Sequence, residues 1–456
     1  MTVFTMKEYI NEAIDEYAED ISFGMPGHKG KDFFDLKINR DLTEFLGTDN
    51  LLNPTGAIKN SLEEIARVFG SRYSFYIPNG SSGAINIAVS CLAEKGCKIL
   101  LQRNCHKSCI NSVLINELIP IYIETKYDEE SAQFLGIELE NLKKTVERER
   151  PELCLLVSPN YYGGILNLKE IISYLHKKNI PVIIDEAHGA HLYFSDLKKY
   201  SGNFLGADIV INSSHKMIPS LTQTAILHIN SEKITRERVL KYINLYTTTS
   251  PSYLFIASQE KGISYMEDEG KKSMKILEEE ISAWRKKTSF KDFRVKDKSI
   301  SSYDPMKFLF RLPRKTGSQI VKSFHLAYNI RLEMGDLYYA LAIISPKNSI
   351  YELKKLFKAI EENSRGEFKE IIKLKFPRPQ MEILPSEALK RESLLIDFKN
   401  SLGRISAANV SAYPPGIPIV SYGEKITSDV IDSLSYYLAN DIEIVGLYDQ
   451  KIEVVK

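Results

Sequence analysis

Two short stretches of this chain carry the residue types of covalent carbonyl chemistry. Ile183-Ile184-Asp185-Glu186-Ala187-His188 is an apolar run ending in acids and a histidine, and Asn212-Ser213-Ser214-His215-Lys216 closes a later run. A lysine placed just past a strand end, its pKa lowered by partial loss of water or by a nearby cation, is a nucleophile for aldehydes and ketones. An aspartate facing the same crevice can hold a pyridine nitrogen protonated, which makes an aromatic ring an electron sink. A surface lysine and a helix-capping aspartate are the plain alternative, so the neighbouring segments have to decide.

Two of those segments add the missing functions. Pro78-Asn79-Gly80-Ser81-Ser82-Gly83-Ala84 follows Phe75-Tyr76-Ile77 and precedes a helical pattern over Ile85–Ala93. Glycines, hydroxyls and a helix N-terminus together offer donors to a phosphate, although a tight turn with Ser82 as helix cap uses the same residues. No GxxxxGK[ST] loop is present to suggest a nucleotide instead. Arg103-Asn104-Cys105-His106-Lys107-Ser108 comes just after another strand pattern, where the His106 imidazole could lie against a planar ring.

The elements that must position these groups alternate. Cys97–Leu101, Leu118–Ile123, Leu153–Val157, Ile180–Ile184 and Ala207–Ile211 read as short buried strands, with helical spacing over Leu139–Arg148 and Leu168–Lys178 between them. Fully apolar runs separated by helices predict a mostly parallel sheet covered on both faces. Ligands of such sheets bind beyond the C-terminal strand ends, where the polar clusters stand. Helical spacing resumes from Ser250-Pro251 to about Lys287, and a Lys- and Ser-rich segment near 295 suggests a boundary. Beyond it, strands at Met306–Arg311 and Ala340–Ile344 and helices at Gly317–Tyr328, Ser349–Asn363 and Thr427–Leu438 predict a smaller α+β domain. The expected division is an N-terminal segment (1–50), a large cofactor-binding domain (51–295) and a C-terminal α+β domain (296–456).

Composition narrows the function classes. The 456 residues are 43% hydrophobic and 26% charged, and 60 basic side chains nearly cancel 59 acidic ones. Nothing in that balance calls for a nucleic acid or a membrane surface as partner. No stretch reaches the roughly 20 apolar residues of a membrane span, and the N-terminus lacks a signal-peptide pattern. Together with five cysteines lacking any CxxC pair, this points to free thiols in a reducing cytoplasm. Cys105 and Cys109 could share a helix face, but no second ligand pair accompanies them, so no metal is expected.

The segments together resemble the bacterial ornithine/lysine/arginine decarboxylases of pyridoxal 5′-phosphate (PLP) fold type I, the aspartate aminotransferase fold. The resemblance runs through Met25-Pro26-Gly27-His28-Lys29-Gly30, Asp41-Leu42-Thr43-Glu44, the Asn79–Gly83 and Arg103–Ser108 segments, and Ser158-Pro159-Asn160-Tyr161-Tyr162-Gly163. It continues through Asp185–His191, Ser213–Lys216 with Leu221-Thr222-Gln223, Thr247–Tyr253 and Tyr413-Pro414-Pro415-Gly416-Ile417-Pro418. The resemblance implies that Lys216 carries the cofactor as a Schiff base, Asp185 pairs with the pyridine nitrogen, His106 stacks on the ring and His188 lies near its phenolic oxygen. It implies that Gly80, Ser81, Ser82, Ser213 and His215 surround the phosphate, and that Thr248 and Ser250 reach the phosphate of a neighbouring subunit, so a homodimer with shared sites is expected. The Pro-Gly-His-Lys segment starts at residue 26, as in short members without an N-terminal wing domain. Ser421-Tyr422-Gly423-Glu424 departs from the family, which usually has proline before Gly-Glu.

The expected reaction is loss of CO2 from a basic amino acid, arginine before lysine and ornithine, with polyamine synthesis or acid resistance as the role. Glu44, Asp49, Glu333 and Asp336 are the candidate partners of the distal cation. Proton return to Cα falls to Lys216 or His215. The nearest rival is another fold-type-I activity, an aminotransferase with Arg404 as the α-carboxylate clamp or an aldolase-type lyase. A catalytically silent PLP-binding paralogue is the second rival, and an α/β scaffold with no cofactor at all is the third.

Overall fold

The protein is described from a computed structural model covering residues 20–29, 31, 41–44, 48–288, 290–372, 376–413 and 416–456. Gly30, Pro414, Pro415 and most of the expected segment 1–50 lie outside the described residues.

A seven-stranded sheet organises the first two thirds of the chain. Its strands are β1 (Tyr73–Ile77), β2 (Lys98–Gln102), β3 (Ile119–Ile123), β4 (Leu153–Val157), β5 (Val182–Asp185), β6 (Ile209–Ser213) and β7 (Ala225–Ile229). Their spatial order is β1-β7-β6-β5-β4-β2-β3. The pairs from β6 to β3 are all parallel, whereas β7 runs antiparallel between β6 and β1. Alternation explains the burial. Leu153, Leu155, Ile183, Ile209 and Ile211 enter one apolar cluster, while Cys154, Leu156, Val182, Ile184 and Val210 enter another on the opposite face. Both faces are covered, as the continuous apolar runs require. This is the PLP fold-type-I arrangement expected from the sequence.

Two helices follow strand ends directly. Gly80–Leu92 begins three residues after β1, and Lys107–Ile115 begins five residues after β2. Their N-termini therefore open at the C-terminal edge of the sheet.

The C-terminal part is α+β. Lys307–Phe310, Ala340–Ile343 and Met334–Gly335 form an antiparallel sheet. It is flanked by helices Gly317–Tyr328 and Ile350–Glu362, each started by a capping box, Thr316 with Gln319 and Ser349 with Glu352. Two further three-stranded antiparallel sheets and the helix Ser428–Ala439 complete it. Ile21–Phe23 returns from the start of the chain to pair in parallel with Ile330–Leu332. Among the described residues no helix is long and apolar enough to cross a membrane, and no group of three His, Cys, Asp or Glu converges as a metal site.

Candidate active site

Parallel pairing brings the acid and the lysine together. Asp185 is the last residue of β5 and the register partner of Ile211 in β6. From Ser213, the last residue of β6, the chain enters one helical turn, Ser214–Met217, which carries Lys216. Both side chains line a cavity of about 150 Å3, and Ser81, His106 and His188 line it with them. The other predicted site residues stand beside this cavity or away from it. Ser213 is fully buried and its Oγ has no hydrogen-bond partner. His215 donates from Nδ1 to the Thr224 carbonyl at 2.9 Å. Ser82, Thr248 and Ser250 are exposed, and the Ser250 N–H donates to Thr248 Oγ1 at 3.2 Å.

The electrostatics follow from burial. Asp185 is 3% exposed and accepts the Ala187 N–H at 3.1 Å. Loss of water pushes its carboxyl up, against the pull of Lys216 and that N–H. Burial lowers the Lys216 ammonium, opposed by Asp185 and Glu333. His106 turns an open face to the cavity, and its Nδ1 accepts from the Ser108 N–H as the N-cap of Lys107–Ile115. Enclosure, then the Lys216 and Lys107 charges, hold its pKa down to about 4, so the ring is neutral. His215 is held near the same value, about 4, chiefly by burial. His188 touches two amines: its Nε2 is 3.2 Å from Lys216 Nζ and its Nδ1 2.7 Å from Lys307 Nζ.

These residues fit PLP on three observations. The buried Asp185 carboxylate would gain a cationic donor in a pyridinium N–H. The open face of His106 offers a surface to a planar ring. At the phosphate end, the turn into helix Gly80–Leu92 has Gly80 at φ +73°, and Gly83 packs so tightly on Asn79 that a Cβ would overlap its side chain. The unbonded N–H groups of that first turn, Ser81 and the unpartnered Ser213 hydroxyl supply donors to an anion.

Phe134 and Lys307 entered the site without a signal read beforehand, whereas the other added lining residues belong to segments that carried the family resemblance. Phe134 comes from the hairpin Thr125–Asp128/Gln133–Ile137, and Met25, Tyr161, Tyr162, Tyr413 and Ile417 also line the cavity. Lys307 reaches His188 from the C-terminal part. A lysine inside an apolar strand was the available clue. A second cavity of about 70 Å3 shares Phe134, Tyr162 and Ile417 with the first and is walled by Tyr127, Tyr338, Tyr437 and Asp336.

The four candidate carboxylates separate. Asp49 caps the helix Ala57–Phe69, accepting from the Gly56, Ile58 and Lys59 N–H groups on Oδ2 and from Asn50 and Thr55 on Oδ1. Burial opposes its ionisation, but these backbone donors outweigh it and hold its pKa down to about 2. Glu44 is exposed. Glu333 accepts from the Met25 N–H at 2.7 Å and the Tyr161 hydroxyl at 2.8 Å. Asp336 accepts from the Tyr162 hydroxyl and from the Tyr338 and Tyr339 N–H groups. Arg404 donates to the Val455 carbonyl at 2.9 Å and does not line the cavity.

The family model described as Orn/Lys/Arg decarboxylase, major domain, matches residues 10–291, and that of the C-terminal domain matches residues 369–444. The chain belongs to the Orn/Lys/Arg decarboxylase family. Among Orn/Lys/Arg decarboxylase relatives, the arginine decarboxylase of Bacillus subtilis (strain 168) is 30% identical across 96% of this chain and 94% of that protein. The inducible lysine decarboxylase of Escherichia coli (strain K12) is 22% identical across 98% of this chain and 81% of that protein. The solved structure of the E. coli constitutive lysine decarboxylase superposes with a TM-score of 0.78 at 20% identity, covering 90% of this chain and 74% of that one.

Proposed function

We propose that this protein removes the α-carboxylate of a basic amino acid as CO2, using PLP held by Lys216, with arginine as the first substrate before lysine and ornithine. The observation that carries this reading is the convergence of Asp185 and Lys216, from neighbouring parallel strand ends, in one cavity with His106. The family supports the reaction class, and arginine decarboxylase relatives support arginine. Bound there, the cofactor supplies an aldehyde that condenses with amines and a ring that accepts an electron pair.

The chain's own residues do the rest. Lys216 would hold the cofactor through its amine and, once that amine is released, would carry a proton to Cα, with His215 as the alternative donor. Asp185 keeps the proton on the ring nitrogen, stabilising charge that develops as CO2 leaves. His106 covers one ring face and keeps water from it. Gly80, Ser81, Ser82, Ser213 and His215 hold the phosphate, and Thr248 and Ser250 reach the neighbouring subunit's phosphate. Their exposure here supports that reading and, with it, a homodimer.

Loss of the carboxylate is favoured where it is poorly solvated. Met25, Phe134, Val157, Pro159 and Ile417 give the cavity apolar walls, and none of its described lining is arginine. A described lining free of arginine favours decarboxylation over transamination. The second cavity, with aromatic walls and Asp336, suits the distal cation. The test is CO2 release from arginine, lysine and ornithine, each assayed separately with PLP-loaded protein. Rapid release from one of them is expected. A yellow, borohydride-reducible cofactor without CO2 from any of the three would overturn the reaction and leave transamination next.

A further inference from the structure

Asp336 is the one charged side chain among the described residues that line the second cavity. Its oxygens can be accounted for. Oδ1 accepts the Tyr338 N–H at 2.8 Å and the Tyr339 N–H at 2.7 Å, and Oδ2 accepts the Tyr162 hydroxyl. A carboxylate has about four lone-pair sites, so Oδ2 keeps one for a further donor. The cation whose charge Asp336 feels is Arg311, but that guanidinium donates to the Lys369 carbonyl. We infer that the second cavity is a guanidinium subsite: Asp336, aimed by the Tyr162 hydroxyl, takes an N–H of the substrate's distal group, and aromatic faces take its plane, which selects a guanidinium over an ammonium. This deepens the reading of the first cavity as the site of a basic amino acid and rests on it.

The two cavities are contiguous. Phe134, Tyr162 and Ile417 line both, so a side chain anchored in the first passes the Tyr162 ring to enter the second. Tyr162 thereby has two parts in one residue. Its ring borders the path and its hydroxyl fixes the carboxylate at the end of it.

The rings carry the choice between cations. Tyr127, Phe134, Tyr162, Tyr338, Phe376 and Tyr437 wall the second cavity. Tyr127 and Phe134 have centroids 5.0 Å apart at 56°, and Phe134 and Phe376 4.8 Å apart at 80°. Neither pair is stacked face to face, so ring faces remain for a guest. A guanidinium is planar, weakly hydrated and suited to lying on such faces, whereas an ammonium is a compact, strongly hydrated charge with three donors to satisfy. In exchange for its water the ammonium would gain one carboxylate site and neutral phenol hydroxyls. Two of those are already engaged, Tyr162 by Asp336 and Tyr338 by the Ile372 N–H at 3.1 Å. The chain holds a guanidinium of its own in this manner. Arg311 Cζ lies 5.5 Å from the Phe368 centroid, 5.7 Å from those of Tyr338 and Tyr339 and 5.9 Å from that of Phe293. Tyr338 stands between that arginine and the second cavity.

The test compares three amines on full-length protein by titration calorimetry, with and without added PLP. Agmatine, cadaverine and hexylamine each carry a primary amine and end in a guanidinium, an ammonium and a methyl group. Wild type should bind agmatine at least about tenfold more tightly than either of the others, the worth of one charge-assisted hydrogen bond. Asp336→Asn should remove that preference and leave hexylamine binding unchanged, whereas a damaged fold would weaken all three. Tyr162→Phe keeps the ring and should narrow the preference. If Asp336→Asn weakens all three alike, an unchanged preference in Tyr162→Phe overturns the subsite. A preference kept in Asp336→Asn, or no binding of any amine to wild type, overturns it as well. Cadaverine bound as tightly as agmatine overturns the guanidinium subsite and leaves a basic substrate standing. Hexylamine bound as tightly as both overturns the basic substrate too. Agmatine preferred by a protein that releases no CO2 from arginine, lysine or ornithine would overturn the reaction and support the subsite.

Discussion

The Arg103 guanidinium, just past the end of β2, grips the Glu424 carboxylate with two hydrogen bonds, Nη2 lying 2.9 Å from Oε2. The side chains are 11% and 2% exposed. Glu424 also accepts the Ser421 N–H at 2.7 Å, and Arg103 lies 4.8 Å over the Tyr122 ring. The pair joins the large sheet to the C-terminal part. Its mutual attraction offsets a desolvation cost of similar size, so the whole pair contributes little, whereas half a pair is expensive. Arg103→Met or Glu424→Gln should each lower stability by about 3–5 kcal/mol. The double variant should lose less than the sum. Urea unfolding of the three variants checks this, and additive losses would count against the pairing.

Asp185→Asn tests the acid without emptying its place. The amide cannot hold a proton on a pyridine nitrogen, so turnover should fall by about 10²-fold or more while the cofactor remains bound. Lys216→Ala should abolish both the visible absorbance and nearly all CO2 release. Retained turnover in Asp185→Asn, measured at saturating PLP, would remove Asp185 from the proposed mechanism.

Shared sites have a counting consequence. Lys216→Ala and a Thr248→Ala/Ser250→Ala double variant damage different parts of each site. If Thr248 and Ser250 serve the neighbouring subunit, each mixed dimer regains one intact site. Unfolding and refolding the two inactive variants together in equal amounts should then restore about a quarter of wild-type activity. No recovery, with mixed dimers shown to form, would place both residues outside the neighbour's site.

Lys29 gives stability a pH slope. Its ammonium is 5% exposed and donates to the carbonyls of Gly24 at 2.6 Å and Ile343 at 2.8 Å. Burial, opposed in part by Glu333, brings its pKa from 10.5 down to about 7. Between those values the unfolded chain binds more protons than the folded one, so stability rises with pH across this window. One such group contributes at most about 1.4 kcal/mol per pH unit. Lys307, at about 8, acts with the same sign over a narrower range. Urea midpoints at pH 7.5 and 9.5 should therefore rise more in wild type than in Lys29→Met. An equal rise in both would show that Lys29 is not charged-destabilised in the fold.

Much of the site was legible because local chemistry and strand ends coincide. Asp185 and Lys216 each follow a run whose residues had to be buried on both faces, and such runs end at the ligand-binding edge. The helix Gly317–Tyr328 was readable to the residue because Thr316 and Gln319 form a capping box. What escaped was non-local. Nothing near Ala225–Ile229 signals that it slips antiparallel between β1 and β6. Nothing near Asp49 shows that its oxygens are spent on backbone N–H groups up to ten residues ahead. Lys307 reads as an ordinary strand lysine until the fold sets it against His188, a residue 119 positions earlier.

The pairing of Ile21–Phe23 with Ile330–Leu332 has a consequence for how the chain is made. The stretch from Ser22 to Lys29 is held by Glu333, Ile343, Ser345 and Asn348, more than 300 residues downstream. On a ribosome it emerges about 300 residues before its partners exist. Domains form as units during synthesis, so the large sheet can assemble while this strand is still unclaimed. The earliest-made β-strand of the described chain is thus among the last to find its place, and a nascent chain stalled before residue 330 would present that strand to any holdase within reach.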